Sequence, residues 1–136
     1  MMNTRHNIFP LQELIVVDAT GTLDLDASKA LLRKLAADPR FDPNKEVLLD
    51  LRDIECHLST LDIYELANFM AWPDPALPTR KKIAILVAGR VEFDHASFLQ
   101  MCASGNGVRI AAFDDYDKAD DWLKADLPPD PKNGEG

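Results

Sequence analysis

Residues 47–70 read VLLDLRDIECHLSTLDIYELANFM, a short apolar run followed by an amphipathic stretch. The run Val47–Leu51 follows turn-forming residues, which is typical of a buried strand. Ser59 and Asp62 have the spacing of a capping box, so a helix is predicted to begin beside them. Four apolar residues then recur on one helical face: Ile63, Leu66, Ala67 and Met70. The segment therefore predicts a buried strand followed by an amphipathic helix.

The same order of strand and helix recurs on both sides of this segment. Further apolar runs predict a possible edge strand and three buried strands: Ile8–Leu11, Glu13–Asp18, Lys82–Val87 and Val108–Phe113. Helices are predicted to follow the caps Asp24 and Asp94 and the acidic group Asp114–Asp117. Such alternation predicts an α/β fold, with a mostly parallel four- to five-stranded sheet and about four helices.

Length and composition favour one compact domain. The chain has 136 residues, of which 46% are hydrophobic and 28% charged, and these values are ordinary for a globular domain. We expect the domain to span residues 1–127, with 128–136 as a flexible tail because that stretch has no apolar anchor.

Net charge and hydropathy limit the partners and the cellular location that the sequence predicts. A net charge of −8 repels a phosphate backbone, so nucleic acid is not an expected partner. No apolar run approaches the roughly 18 residues that a membrane-spanning helix needs, and the first residues lack the apolar core of a signal peptide. The sequence therefore predicts a cytoplasmic protein without an integral membrane segment.

Glycine and cysteine placement disfavours the commonest binding motifs. Gly21 is the single glycine between the first strand and its helix, which is too few for a phosphate-binding loop and predicts a tight turn. Cys56 and Cys102 lack the spacing of a zinc site or redox pair, so both are expected to be reduced packing residues. No cofactor or metal site is predicted.

One short segment combines groups that a nucleophilic or metal site would use. Cys56 and His57 follow Asp53 and Glu55, which supplies thiol, imidazole and carboxylate. Adjacent side chains in an extended chain point to opposite faces, however, so Cys56 and His57 are not expected to cooperate. His95 is expected in the first turn of a helix, where a solvated imidazole needs no special role. A hydrolase that uses these residues remains a third hypothesis.

Several of these segments together resemble the SpoIIAA-like family of the STAS fold. The resemblance covers roughly residues 8–126 and is carried by Asp50–Leu51 at the end of a strand, the run Lys82–Val87 and the terminal Ala119–Leu123. It implies the fold of the anti-sigma-factor antagonists and no catalytic residues.

The resemblance also implies a position for a partner-binding surface. In the antagonists, a serine at a helix N-terminus follows an aspartate and is phosphorylated, and Ser59 falls at that position. Leu58 replaces the aspartate, and Leu61 replaces a glycine of the same motif. The first hypothesis is thus a non-enzymatic regulatory or protein-interaction domain, with a protein partner or a second copy. Its predicted partner or phosphoswitch surface is Glu55, Ser59, Thr60 and Asp62.

A similarity in fold to CRAL-TRIO lipid-carrier domains implies an alternative, a small carrier or sensor of an apolar, lipid-like molecule. Its pocket would lie between helices and sheet, with this predicted lining: Phe69, Met70, Trp72, Phe93, Phe98 and Met101. An exposed apolar patch on the second helix would favour the interaction domain. A closed apolar cavity would favour the carrier, and a cysteine or histidine beside a carboxylate would favour the hydrolase.

Overall fold

The computed structural model describes residues 4–11, 13–42, 44–70, 81–105 and 108–125. Within these residues the chain forms a five-stranded sheet and four helices. The strands β1 to β5 are, in order, Arg5–Pro10, Leu14–Leu23, Glu46–Cys56, Ile83–Leu86 and Ile110–Phe113. The helices α1 to α4 are, in order, Leu25–Ala37, Thr60–Met70, Arg90–Ser104 and Tyr116–Lys124. The predicted tail, 128–136, lies outside the described residues.

The strands follow one another across the sheet in chain order. β1 pairs with β2 in antiparallel register, and β2, β3, β4 and β5 pair in parallel. This confirms the predicted α/β fold with a mostly parallel sheet. Because each crossover advances by one strand in the same direction, a common handedness places α1, α2 and α3 on one face of the sheet.

Side chains of the central strands alternate between two apolar layers, as the pleat of a strand requires. In β3, Val47 and Leu49 pack in the larger layer under the first three helices, and Leu48 packs in the smaller layer under α4. Ile83 and Ala84 divide in the same way in β4. Both faces are therefore covered, which explains why these strands are continuous apolar runs.

Two strands run further than the sequence predicts. β2 continues through Gly21 to Leu23, so the predicted tight turn at Gly21 is wrong. Gly21 has φ 109° in the strand, beyond a register shift at Asp18 and Thr20. β3 continues to Cys56, because Leu23 of β2 pairs with Cys56 and lengthens both strands together.

The third helix begins earlier than predicted. Gly89 is its N-cap, and Asp94 lies one turn inside the helix, where its side chain is 4.0 Å from that of Arg90. The prediction of Asp94 as a cap is therefore wrong. His95 consequently lies in the second turn of α3 and not in the first.

Two other helices begin where the sequence predicts, α1 at the predicted cap Asp24 and α4 within the predicted acidic group. Asp24 accepts a hydrogen bond from the Ala27 amide at 2.8 Å and begins α1. Asp115 accepts hydrogen bonds from the amides of Asp117 and Lys118 and begins α4. In both, a carboxylate satisfies amides that have no partner within the helix.

Candidate functional site

A small apolar cavity lies between the sheet and the first three helices. Its volume is about 90 Å³. Aliphatic side chains from several elements form most of the wall, among them Leu32, Leu49, Ile63, Leu66, Ile85 and Leu99. Four residues bring polar atoms to the lining: Ser28, Cys56, Glu92 and His95. The cavity is thus an apolar space with a few polar groups at its wall.

Cys56 and His95 meet at this cavity. The sulfur of Cys56 lies 3.4 Å from Nδ1 of His95, although the two residues are 39 positions apart in the chain. Cys56 ends β3, and His95 belongs to the helix that follows the neighbouring strand β4. Carboxyl ends of parallel strands meet at one edge of a sheet, which explains why this thiol and this imidazole converge.

The surroundings of the thiol keep it protonated. Burial raises the pKa of Cys56 above its usual range, the Leu58 backbone amide opposes this by hydrogen bonding to the sulfur, and the negative charge of Glu92 raises the pKa further. A thiol with a raised pKa is a weak nucleophile on its own. The adjacent imidazole can accept its proton during a reaction, which is how proteins activate such groups.

His57 has a different partner from Cys56. Its Nε2 lies 3.1 Å from the Glu55 carboxylate, and both side chains are exposed. That Cys56 and His57 do not act together stays a prediction. The cysteine and histidine that converge are Cys56 and His95, and the carboxylate beside them in the lining is Glu92.

The segment before α2 forms the predicted capping box. The Ser59 amide donates to the Asp62 carboxylate at 3.0 Å, and the Asp62 amide donates to Ser59 Oγ at 3.0 Å. Glu55, Ser59 and Thr60 are exposed, and Asp62 is half-buried. Ser59, Thr60 and Asp62 therefore lie at the start of α2, Glu55 lies near the end of β3, and three of the four residues face solvent.

Two large apolar side chains on the first half of α2 are exposed. Leu61 is 72% exposed and Tyr64 is 54% exposed. They are three residues apart, so they lie next to each other on the helix surface. The opposite face of the same helix carries the buried stripe of Ile63, Leu66, Ala67 and Met70. An apolar patch thus faces solvent beside the capping box.

The described residues that were predicted to line a pocket do not all line this cavity. Met70 lines the cavity. Phe69, Phe93 and Phe98 are half-buried and pack against the larger apolar layer without belonging to the described lining. Met101 is 69% exposed and does not line it. Trp72 lies outside the described residues.

The sequence did not indicate that Glu92 lines the cavity or that Cys56 and His95 meet there. One signal was available, because Cys56 follows the predicted strand Val47–Leu51 and His95 follows the next predicted strand in the chain. Parallel pairing of those strands would have placed both at the same edge of the sheet. No sequence pattern indicated the position of Glu92, because its carboxylate lies next to Gly89 only when α3 starts at Arg90.

The described part of the chain lacks two kinds of feature. It holds no group of three or more histidine, cysteine, aspartate or glutamate side chains that could bind a metal ion. None of its helices combines the length and apolarity that crossing a membrane demands.

Comparisons with known proteins identify the fold. An uncharacterised protein of the DUF3478 family from Shewanella loihica, with a SpoIIAA-like fold, aligns with 90% of this chain and 95% of its own, at TM-score 0.52 and 19% identity. An anti-sigma factor antagonist from Mycobacterium paratuberculosis aligns with 90% of this chain and 96% of its own, at TM-score 0.57 and 15% identity. No protein-family model and no curated protein matches the sequence.

The chain therefore has the SpoIIAA-like fold that the sequence resemblance predicts. Both similarities extend over nearly the whole of each neighbour. Because identity is below one fifth in both, they establish the architecture, and function has to be argued from the site itself.

Proposed function

We infer that this protein is a non-enzymatic interaction domain, which binds a protein partner through the start of α2. The binding surface, called here the α2 surface, consists of Glu55, Ser59, Thr60, Leu61, Asp62 and Tyr64. The observation that carries this proposal is the exposure of Leu61 and Tyr64 beside the capping box. Exposed apolar side chains rimmed by polar groups are typical of protein interfaces.

The chemistry of the α2 surface limits the kind of partner. Tyr64 supplies a large side chain with few rotatable bonds, of the type that contributes strongly to binding. Glu55 and Asp62 contribute carboxylates to the same surface, and the whole chain has a net charge of −8. A complementary partner would offer an apolar pocket with basic residues at its rim.

The structural neighbours are consistent with this class of function. One of them is an anti-sigma factor antagonist, so the same architecture serves the antagonism of a protein there. In this chain, phosphate on Ser59 would place a second negative charge beside Asp62, whose carboxylate already accepts from the Ser59 amide. Like charges repel, so phosphorylation would open the capping box and alter the α2 surface.

The cavity favours a second candidate, the binding of a small apolar group. Its volume of about 90 Å³ is well below the roughly 300–1,000 Å³ of pockets that enclose drug-sized ligands. The space found among the described residues therefore suits a short apolar group and not a whole lipid.

Site-specific photo-crosslinking in the native host tests the α2 surface. A photoreactive phenylalanine analogue replaces Leu61 in one variant and Met101 in the other. These positions form a matched pair, because their side chains are 72% and 69% exposed on different helices. We expect a protein adduct of one discrete mass from position 61 and none from position 101, and we expect Tyr64→Ser to diminish it.

The adduct mass also identifies the class of partner. A mass of twice the chain indicates a second copy, and any other discrete mass indicates a different protein. Equal crosslinking from both positions, or no adduct from position 61, would refute the α2 surface as the binding site.

A further inference from the structure

The thiol of Cys56, the imidazole of His95 and the apolar cavity form a combination that protein binding at α2 does not use. The sulfur and Nδ1 are 3.4 Å apart, and both side chains belong to the cavity wall. A nucleophile with a base in hydrogen-bond reach is the arrangement found in covalent sites. Ser28, the hydroxyl side chain in the lining, donates to the Asp24 carbonyl at 2.7 Å.

We propose that Cys56 accepts a short apolar acyl group as a thioester, with His95 as its general base and the cavity as the acyl-binding site. The modification is stoichiometric and does not require turnover, so it is compatible with a non-enzymatic domain. The cavity lies on the buried side of α2, whereas Leu61 and Tyr64 of the α2 surface face solvent, so the two proposals are tested by different experiments.

The walls and volume of the cavity define the acyl group. The lining around Cys56 is mainly aliphatic, as with Ile54, Leu66 and Leu99, so a charged or strongly polar group would lose hydration without compensation. A dry apolar cavity of about 150 Å³ accommodates benzene. By that scale the volume of about 90 Å³ accommodates about four carbon atoms, the size of a butyryl group.

The reaction balances with an activated acyl donor, either a thioester or an ester. Nδ1 of His95 takes the proton of the Cys56 thiol while the sulfur attacks the carbonyl carbon of the donor. A carbon–sulfur bond forms, and the bond from the carbonyl carbon to the leaving thiolate or alkoxide breaks. His95 then returns the proton to the leaving group, so no oxidant or reductant is needed. One imidazole acts in turn as base and acid.

The sulfur needs a base before it can attack a carbonyl. Because burial and the charge of Glu92 raise the pKa of Cys56, the group is a thiol at neutral pH, whereas the thiolate is the nucleophile. Nδ1 of His95, 3.4 Å from the sulfur, is placed to take the proton as the new bond forms.

Acylation by p-nitrophenyl esters tests the proposal on the full chain. The protein is incubated with p-nitrophenyl butyrate or octanoate near neutral pH, intact mass reports the acyl group, and peptide mapping locates it. The chain provides its own control, because Cys102 is the second half-buried cysteine and is absent from the cavity lining. We expect butyryl on Cys56, little on Cys102, and slower transfer of octanoyl.

Variants separate a chemical role of His95 from a structural one. We expect His95→Gln to slow butyryl transfer to Cys56 by about 100-fold or more, which is the lower end of the contribution of a general base. We expect it to leave thermal unfolding and the iodoacetamide labelling of Cys102 unchanged, while Cys56→Ser abolishes acylation. Equal acylation of the two cysteines, an unchanged rate in His95→Gln, or modification of Cys56 only by hydrogen peroxide would overturn the proposal.

Discussion

Replacement of Ser59 by alanine should destabilise the domain by removing one half of its capping box. Ser59 Oγ accepts from the Asp62 amide at 3.0 Å, and loss of such a cap costs about 1 kcal/mol, within a range of about 0.5–2 kcal/mol. For a domain of this size, that corresponds to a fall of about 3–5 °C in Tm. Urea unfolding followed by both circular dichroism and tryptophan fluorescence measures the change and checks for two-state behaviour.

Two neighbouring substitutions make the test specific. Thr60→Ala changes an exposed residue beside the cap, so its effect should stay within about 0.5 kcal/mol. Ser59→Asp keeps a good capping acceptor and should lose less stability than Ser59→Ala, despite its proximity to Asp62. If Ser59→Ala and Thr60→Ala have equal effects, the capping box does not stabilise α2 and the reasoning is wrong.

Two further predictions concern a backbone conformation and an ion pair. Gly21→Ala should lower the free energy of unfolding by about 1–3 kcal/mol, because residue 21 has φ 109° within β2. Thr22→Ala should lower it by less than about 1 kcal/mol. Urea denaturation compares the two variants, and equal losses of stability would contradict the argument. The side-chain hydrogen bond from Arg52 lowers the pKa of Asp50 below its usual 3.8. A lowered folded-state pKa stabilises the fold above pH about 4 and loses that contribution as the pH falls through the folded value. Arg52→Gln should therefore flatten the acid limb of a stability profile measured from neutral pH downward, and an unaltered limb would show that the pair contributes nothing.

Local features of the fold were predictable because they depend on residues close together in the chain. The Ser59 and Asp62 capping box needs only a spacing of three, and the buried stripe on α2 needs only spacings of three and four. The confirmed cap at Asp24 has the same local origin. The prediction of Asp94 as a cap was wrong because the cap of α3 is Gly89, and glycine has no side chain that would mark it as a cap in the sequence.

The exposed apolar residues of the α2 surface could also be predicted in part from the sequence. The periodicity that buries Ile63 and Leu66 places Leu61 and Tyr64 on the opposite side of the helix. Apolar residues on the polar face of an amphipathic helix break the expected pattern. Because exposed apolar residues that cluster often mark interaction sites, such a break points to this surface from periodicity alone.

The cavity and its polar lining depended on contacts that the sequence does not encode locally. Met70 belongs to the lining, but Met101 is exposed, although both are methionines on helices beside the sheet. Which side chain reaches the cavity depends on the rotation of each helix and on where that helix begins. The early start of α3 at Arg90 alters the position of every residue that follows in the helix.

The sequence by itself therefore determined the α/β class, the alternation of strands and helices, and the capping box, because all of these follow from near neighbours and from composition. Only the tertiary structure decided that β2 and β3 extend together to Leu23 and Cys56. It alone brought Cys56 to His95 across 39 positions. That meeting depends on strand order and pairing register, which are set by the packing of the whole domain.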